Sequence, residues 1–108
     1  MQHWDLRSLD VQVHQPEVLH SQPEGRTIAI NLPAGERLQD HQVHERAWLV
    51  VLAGEVEVDA GAEQVSGGTG LLAVFDPQEK HEVRAVSDAR LLLLLAPWPG
   101  AGHPGSPG

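Results

Sequence analysis

Short apolar stretches, each broken by glycine or proline after a handful of residues, make up most of the chain. Thr27–Leu32 (TIAINL) alternates, with Ile28, Ile30 and Leu32 on one side, the period-two signature of a strand with one buried face. Ala47–Leu52 (AWLVVL) is a continuous run rich in β-branched residues that ends at Gly54. Glu55–Asp59 alternates strictly, which turns Val56 and Val58 inward and the carboxylates of Glu55, Glu57 and Asp59 outward. Ala60–Ala62 supplies a turn, and Gly67, Gly68 and Gly70 supply another. Leu71–Phe75 and Glu82–Val86 read as strands on either side of an Asp76-Pro77 corner, and Arg90–Ala96 (RLLLLLA) closes the series. Leucine favours helix, but Pro97 and Pro99 end that run after about six residues, too short for a helix of ordinary length. Five or more strands at spacings of roughly 8 to 12 residues predict an all-β sandwich or barrel. The barrel spans 26–97; residues 1–25, with Pro16 and Pro23, read as an N-terminal arm or edge strand, and 98–108 as a flexible Gly/Pro-rich tail.

Composition narrows the function. The 108 residues make one domain, and 15 acidic against 7 basic residues give a net charge of -8. That balance argues against nucleic acid and against an anionic membrane surface, both of which select clustered Lys and Arg. Without cysteine there is no disulfide, thiolate metal site or cysteine nucleophile. The longest apolar runs fall far short of the roughly 20 residues of a membrane-spanning helix, and MQHWDLRSLD has neither a basic flank nor an apolar core for a signal peptide. The expectation is a soluble, cytoplasmic single domain.

Seven histidines are many for this length. His3, His14, His20 and His103 lie in the terminal segments, where a solvated histidine is the ordinary reading; His41, His44 and His81 flank or lie on the predicted strands. Gly35, five residues, His41, and later Gly54 followed by Glu55-Val56-Glu57-Val58, with Leu32-Pro33-Ala34 leading in, resemble the first motif of the cupin superfamily. That motif runs Gly, five residues, His-x-His, three or four residues, Glu, six residues, Gly. Phe75-Asp76-Pro77-Gln78-Glu79-Lys80-His81-Glu82-Val83 is similar to the second motif, a Pro-rich corner followed by a histidine on a strand. The resemblance covers roughly residues 26–97. It implies a double-stranded β-helix (jelly-roll) barrel, a divalent metal held by three histidines and a glutamate, and pairing into dimers. His41 matches the first histidine and His81 that of the second motif, while Val43 stands at the second histidine position and Ala47 at the glutamate.

Alternation on a regular strand puts His41, Val43, Glu45 and Ala47 on one face, so that Glu45 could replace the missing carboxylate. His44 takes the opposite face unless a bulge intervenes. His81, Val83 and Ala85 share the inward face, which brings His81 toward His41 at the barrel mouth. His41, His81 and Glu45 or His44 would suit iron, manganese, nickel, copper or zinc. The alternative is a metal-free pocket in which the same histidines hydrogen-bond a ligand. Two functions follow: a metal-dependent oxygenase or isomerase acting on a small molecule, or a non-catalytic small-molecule binding or sensing barrel. A purely structural or partner-binding domain is a weaker third.

Leu91–Leu95 reads as buried on both sides, by the core and by a partner, which together with the resemblance predicts a homodimer. Trp48, opposite in parity to Ala47, belongs to a core or interface. The row Glu55, Glu57, Asp59 is a solvated face, and Arg37, Arg46, Arg84 and Arg90 are expected to pair with carboxylates. Gly67-Gly68-Thr69-Gly70 lacks the lysine and helix of a phosphate loop, and no serine sits in a nucleophile elbow.

Overall fold

Alternation across each strand is realised in nine strands and no helix among the described residues, 1–39 and 44–97 of the computed structural model. In chain order these are β1 (Glu17–Gln22), β2 (Gly25–Leu32), β3 (Arg37–Gln39), β4 (Arg46–Ala53), β5 (Val56–Ala60), β6 (Glu63–Gly67), β7 (Leu72–Phe75), β8 (Glu82–Ala85) and β9 (Ala89–Ala96). They form a five-stranded sheet in the order β1-β2-β9-β4-β7 and a four-stranded sheet in the order β3-β8-β5-β6. Every pairing is antiparallel. The two sheets face each other as a jelly-roll barrel. The expected tail, 98–108, and the segment 40–43 lie outside the described residues.

The large sheet turns Ile28, Ile30 and Leu32 of β2, Leu91 and Leu93 of β9, and Ala47, Leu49 and Val51 of β4 toward the core. Val56 and Val58 of β5 and Val83 and Ala85 of β8 meet them from the small sheet, all buried. The inward parity expected for Val56, Val58, Val83 and Ala85 therefore holds. Three strands had no apolar run to announce them: β1, β3 and β6 are edge strands, where a single hydrogen-bonded neighbour leaves room for polar residues.

Gly54 makes the passage from the large sheet to the small one. Its φ is +81°, and a Cβ there would lie 2.1 Å from the Asp88 carbonyl oxygen, so only glycine fits. Beside it the Val86 N–H donates to the Glu55 carbonyl at 2.8 Å and the Ser87 hydroxyl accepts from the Glu55 N–H at 3.0 Å.

The N-terminal residues cross one end of the outer face of the large sheet. Asn31 Nδ2 donates to the Val11 carbonyl at 2.6 Å, and Arg90 Nη1 donates to the carbonyls of Leu6 and Arg7 at 2.8 and 3.2 Å. Val11 is buried there, as is Ala29. Arg90 thus binds backbone carbonyls and Asn31 Oδ1 (2.9 Å) rather than the expected carboxylate; Arg37, Arg46 and Arg84 do pair, with Glu82, Asp76 and Glu57. In the same arm the Arg7 backbone N–H, with its guanidinium, holds the Asp5 carboxyl below its usual range.

Candidate functional site

One end of the barrel gathers the chemistry-bearing residues. β4, β8 and the β1–β2 turn begin there and β3, β7 and β9 end there, as the pairings Ala47↔Phe75, Arg46↔Ala96, Gln39↔Glu82 and Gln22↔Gly25 require. The corner 76–79 closes with the Glu79 N–H donating to the Asp76 carbonyl at 3.1 Å. Pro77 stands at its second position and Gln78, with φ +70°, at its third, which is the pattern of a type II turn. Asp76 fixes it further: its N–H donates to Glu79 Oε1 at 2.9 Å and its carboxylate pairs with Arg46 at 2.5 Å.

His81 follows this corner immediately before β8 and is buried, with 8% of its surface exposed. Its ring stacks on Phe75, centroids 3.8 Å apart and planes within 5°. The Glu79 carbonyl lies 3.2 Å from Nδ1, an acceptor that favours the tautomer protonated there and leaves the lone pair on Nε2. Sequence parity placed His81 inward correctly. Its aromatic partner was not foreseen, although Phe75 is the sole phenylalanine and immediately precedes the corner.

His44 is exposed, and its Nδ1 accepts a hydrogen bond from Gln78 Nε2 at 2.8 Å. Gln78 was not singled out in the sequence; Pro77 was the available signal, because a type II turn demands a left-handed residue next. Glu45 sits in a bend ahead of β4, which begins at Arg46, so strand alternation does not extend back to it. It lines a cavity of about 210 Å³ with Gln22, Arg26, Leu95 and Pro97. His41 and Val43 lie outside the described residues. Ala47, at the glutamate position of the first motif, is 1% exposed, between Leu95 and Phe75 on the inner face.

Among the described residues no group of three or more His, Cys, Asp or Glu could hold a metal ion. A cavity of about 220 Å³ opens instead between the edge strands β6 and β7, lined by Val58, Ala60, Ala73 and Phe75 and by the carboxylates of Glu63 and Glu79. His20, expected to be solvated, is half-buried on the outer face of the large sheet and lines a groove there with Trp48. Among the described residues no helix is long and apolar enough to cross a membrane.

Comparison with known proteins agrees with this architecture. The family model described as "Cupin domain" matches residues 29–97. No curated protein matches the chain in sequence. Among solved structures, a protein from Thermus thermophilus is similar with a TM-score of 0.80 and 24% identity, covering 92% of this chain and 100% of that one. An RmlC-like cupin from Desulfovibrio desulfuricans is similar with a TM-score of 0.74 and 25% identity, over 89% of this chain and 95% of that one. The structure of KdgF from Halomonas sp. is similar with a TM-score of 0.73 and 20% identity, over 83% and 86%. With two facing antiparallel sheets, a Pro-turn leading into a buried histidine and a family model matched over most of its length, the chain belongs to the cupin family.

Proposed function

We propose that this cupin is a small-molecule binding barrel whose ligand enters at the end marked by His81 and is recognised without the family's full set of metal ligands. The observation that carries this reading is the apolar neighbourhood of the second-motif histidine. Ala47 stands where a glutamate would donate, Phe75 lies beside it, and the Phe75 ring covers one face of His81. Two of the four ligand positions, Val43 and Ala47, carry no donor side chain. A cavity with aromatic and aliphatic walls and a few polar groups favours a compact, mostly apolar ligand. The cavity of about 220 Å³ between β6 and β7 adjoins this end through Phe75 and Glu79, which line it, whereas His81 does not.

A second reading has its own support. A backbone carbonyl such as that of Glu79 beside His81 Nδ1 is the kind of acceptor that orients a metal-ligating imidazole. His41, His81 and Glu45 or His44 would then hold iron, manganese, nickel, copper or zinc and supply an oxygenase or isomerase centre. Two protein donors rarely retain a catalytic metal, so this reading requires His41 and one further group to join His81.

Elemental analysis of untagged protein that has met no chelator separates the two. Metal well below stoichiometry, with no rise in melting temperature on adding Mn²⁺, Ni²⁺ or Zn²⁺, is the expected result. Near-stoichiometric metal that disappears in His41→Ala and His81→Ala but persists in His103→Ala establishes the second reading. In the metal-free case a thermal-shift screen of small apolar and aromatic acids, amines and alcohols identifies the ligand class. A ligand at a hundred times its Kd stabilises by about 2.7 kcal/mol, and His81→Ala should abolish that shift.

A further inference from the structure

Every arginine of the chain but one is held by a carboxylate or by backbone carbonyls. Arg7, Arg37, Arg46 and Arg84 pair with Asp5, Glu82, Asp76 and Glu57, and Arg90 donates to the carbonyls of Leu6 and Arg7. Arg26 is the exception. Its Nε donates to Ser21 Oγ at 3.3 Å, and among the described residues no carboxylate lies within ion-pair distance of it. With 15 acidic residues against 7 basic ones, carboxylates are in surplus, so a guanidinium that keeps none of them retains its donors for something else. The registers put Arg26 in one row with Leu95, Ala47 and Phe75. Ala47 and Phe75 are the buried members of that row, and Arg26, the second residue of β2, is its exposed member at the end of the barrel where His81 lies.

A carboxylate in the same position faces it. Glu45 is half-buried just ahead of β4, and its neighbour Arg46 is taken by Asp76 at 2.5 Å. Among the described residues no cation pairs with Glu45. Arg26 and Glu45 line one cavity of about 210 Å³, with Gln22, Leu95 and Pro97. They do not close on each other across it, because β9 runs between β2 and β4 and two strand spacings keep those strands about 10 Å apart. Gly25 keeps the cavity wall thin: a Cβ there would lie 3.2 Å from the Leu95 carbonyl oxygen. Opposite charges that line one small space without neutralising each other select what enters it. A simple carboxylate gains Arg26 and is repelled by Glu45, and a simple amine meets the reverse. A molecule carrying both groups satisfies each end, with a guanidinium suited to a two-pronged carboxylate contact. Leu95 and Pro97 supply an apolar wall, and the Gln22 amide can donate or accept. The cavity holds roughly seven water volumes, which suits a small molecule and not a peptide.

We propose that the cavity between Arg26 and Glu45 is a binding site for a small zwitterion, an α-amino acid with a short aliphatic side chain. Arg26 takes the carboxylate, Glu45 takes the ammonium group, and the side chain lies against Leu95 and Pro97. The site does not use His81 or a metal, so it stands apart from the ligand reading given above.

Isothermal titration calorimetry on the full chain at neutral pH tests it with L-valine and two relatives that each lack one charge. These are 3-methylbutanoate, without the ammonium group, and 2-methylpropylamine, without the carboxylate. L-Valine should bind with a Kd below about 1 mM, and each relative at least about tenfold more weakly. Arg26→Gln and Glu45→Gln, both outside the buried core, should each weaken L-valine at least about tenfold. They should also erase different preferences. Arg26→Gln should bind L-valine no better than 2-methylpropylamine, and Glu45→Gln no better than 3-methylbutanoate. Arg7→Gln, which removes the same charge from the N-terminal arm, should leave the affinity unchanged. No heat from L-valine at about 10 mM overturns the proposal, as do relatives that bind equally well or L-valine binding that survives both glutamine substitutions. Loss of L-valine binding in a folded His81→Ala variant, with Arg26→Gln unaffected, would seat the amino acid in the ligand site proposed above and overturn this assignment too.

Discussion

The outer faces of the two sheets are built on opposite principles. On the small sheet the outward positions are Arg37, Arg84, Glu57 and Ser66 in one row and Glu82, Asp59 and Gln64 in the next. On the large sheet the corresponding rows are apolar from Ala29 to Leu72 and nearly so from His20 to Val74. Both sheets bury their inner faces in one core, so the difference belongs wholly to what lies outside. Water covers the small sheet, and its strands alternate polar and apolar as a half-buried strand must. The N-terminal arm covers part of the large sheet, and β4 and β9 are apolar at both parities. The lesson is that loss of alternation in an antiparallel strand reports a second covering layer, which must then be found.

The contrast has meaning only if the connection at Gly54 fixes which face of each sheet is inside. Gly54→Ala is the severest test: a Cβ would meet the Asp88 carbonyl at 2.1 Å in a left-handed conformation. The expected loss is at least about 3 kcal/mol, combining backbone strain with displacement of the β8–β9 turn. For a domain of this size that lowers the melting temperature by roughly 12 °C or more. A variant melting within about 3 °C of the wild type would mean that the two sheets can be joined differently, and the inside–outside assignment would fail.

Asn31→Ala probes the covered end of the large sheet. Asn31 gives one hydrogen bond to the Val11 carbonyl and takes one from Arg90 Nε. Alanine leaves that carbonyl and part of the guanidinium without protein partners, for an expected loss of about 1–2 kcal/mol in urea unfolding. Residues 1–16 should also become more susceptible to limited proteolysis, since Arg90 alone would then hold the arm to β9. Stability within about 0.5 kcal/mol of wild type and unchanged proteolysis would show that the arm is no cover.

What the sequence revealed follows the same division between covered and open positions. β2, β4, β5, β8 and β9 were legible because burial imposes apolar residues, and Val56, Val58, Val83 and Ala85 lie where parity put them; β7, though an edge strand with Leu72 and Val74 exposed, was legible because its run is apolar at both parities. β1 was legible only as an arm or edge strand within 1–25, and β3 and β6 were not, because a polar edge strand such as Arg37–Gln39 is held by backbone bonds to one neighbour and its composition carries little signal. At the candidate site the inward position of His81 was legible by the same parity. The Phe75–His81 stack was not, since the corner between them, and not strand periodicity, brings the rings together. The parity argument for Glu45 presumed a strand running through it, whereas β4 starts one residue later. His44 is engaged by Gln78, a residue that matters through its left-handed turn geometry and not through its side-chain type. The homodimer expectation rested on Leu91–Leu95, a run that alternates between the core, through Leu91 and Leu93, and the outer face of the large sheet, through Leu92 and Leu94.

The smallest effect is expected on the solvated face, and it sharpens the comparison most finely. Arg84 donates to Glu57 from both Nε and Nη2, yet the side chains keep 40% and 31% of their surface in water. An ion pair so placed contributes at most about 1 kcal/mol, because water solvates either partner when the other is removed. The row gives Glu57 a second duty: Arg37 and Arg84 are directly opposite each other across β3 and β8, a like-charge pairing that the carboxylate offsets. Glu57→Ala should therefore lower stability by about 0.5–1 kcal/mol in low salt and by less in about 1 M salt, where the Debye length falls to about 3 Å. Glu57→Ala in an Arg84→Ala background should have a smaller effect, with a coupling of about 0.5 kcal/mol. A loss above about 2 kcal/mol that ignores salt would mean that this face is desolvated too. In that event both outer faces of the barrel would need a covering partner, and the apolar composition of the large sheet would no longer single it out.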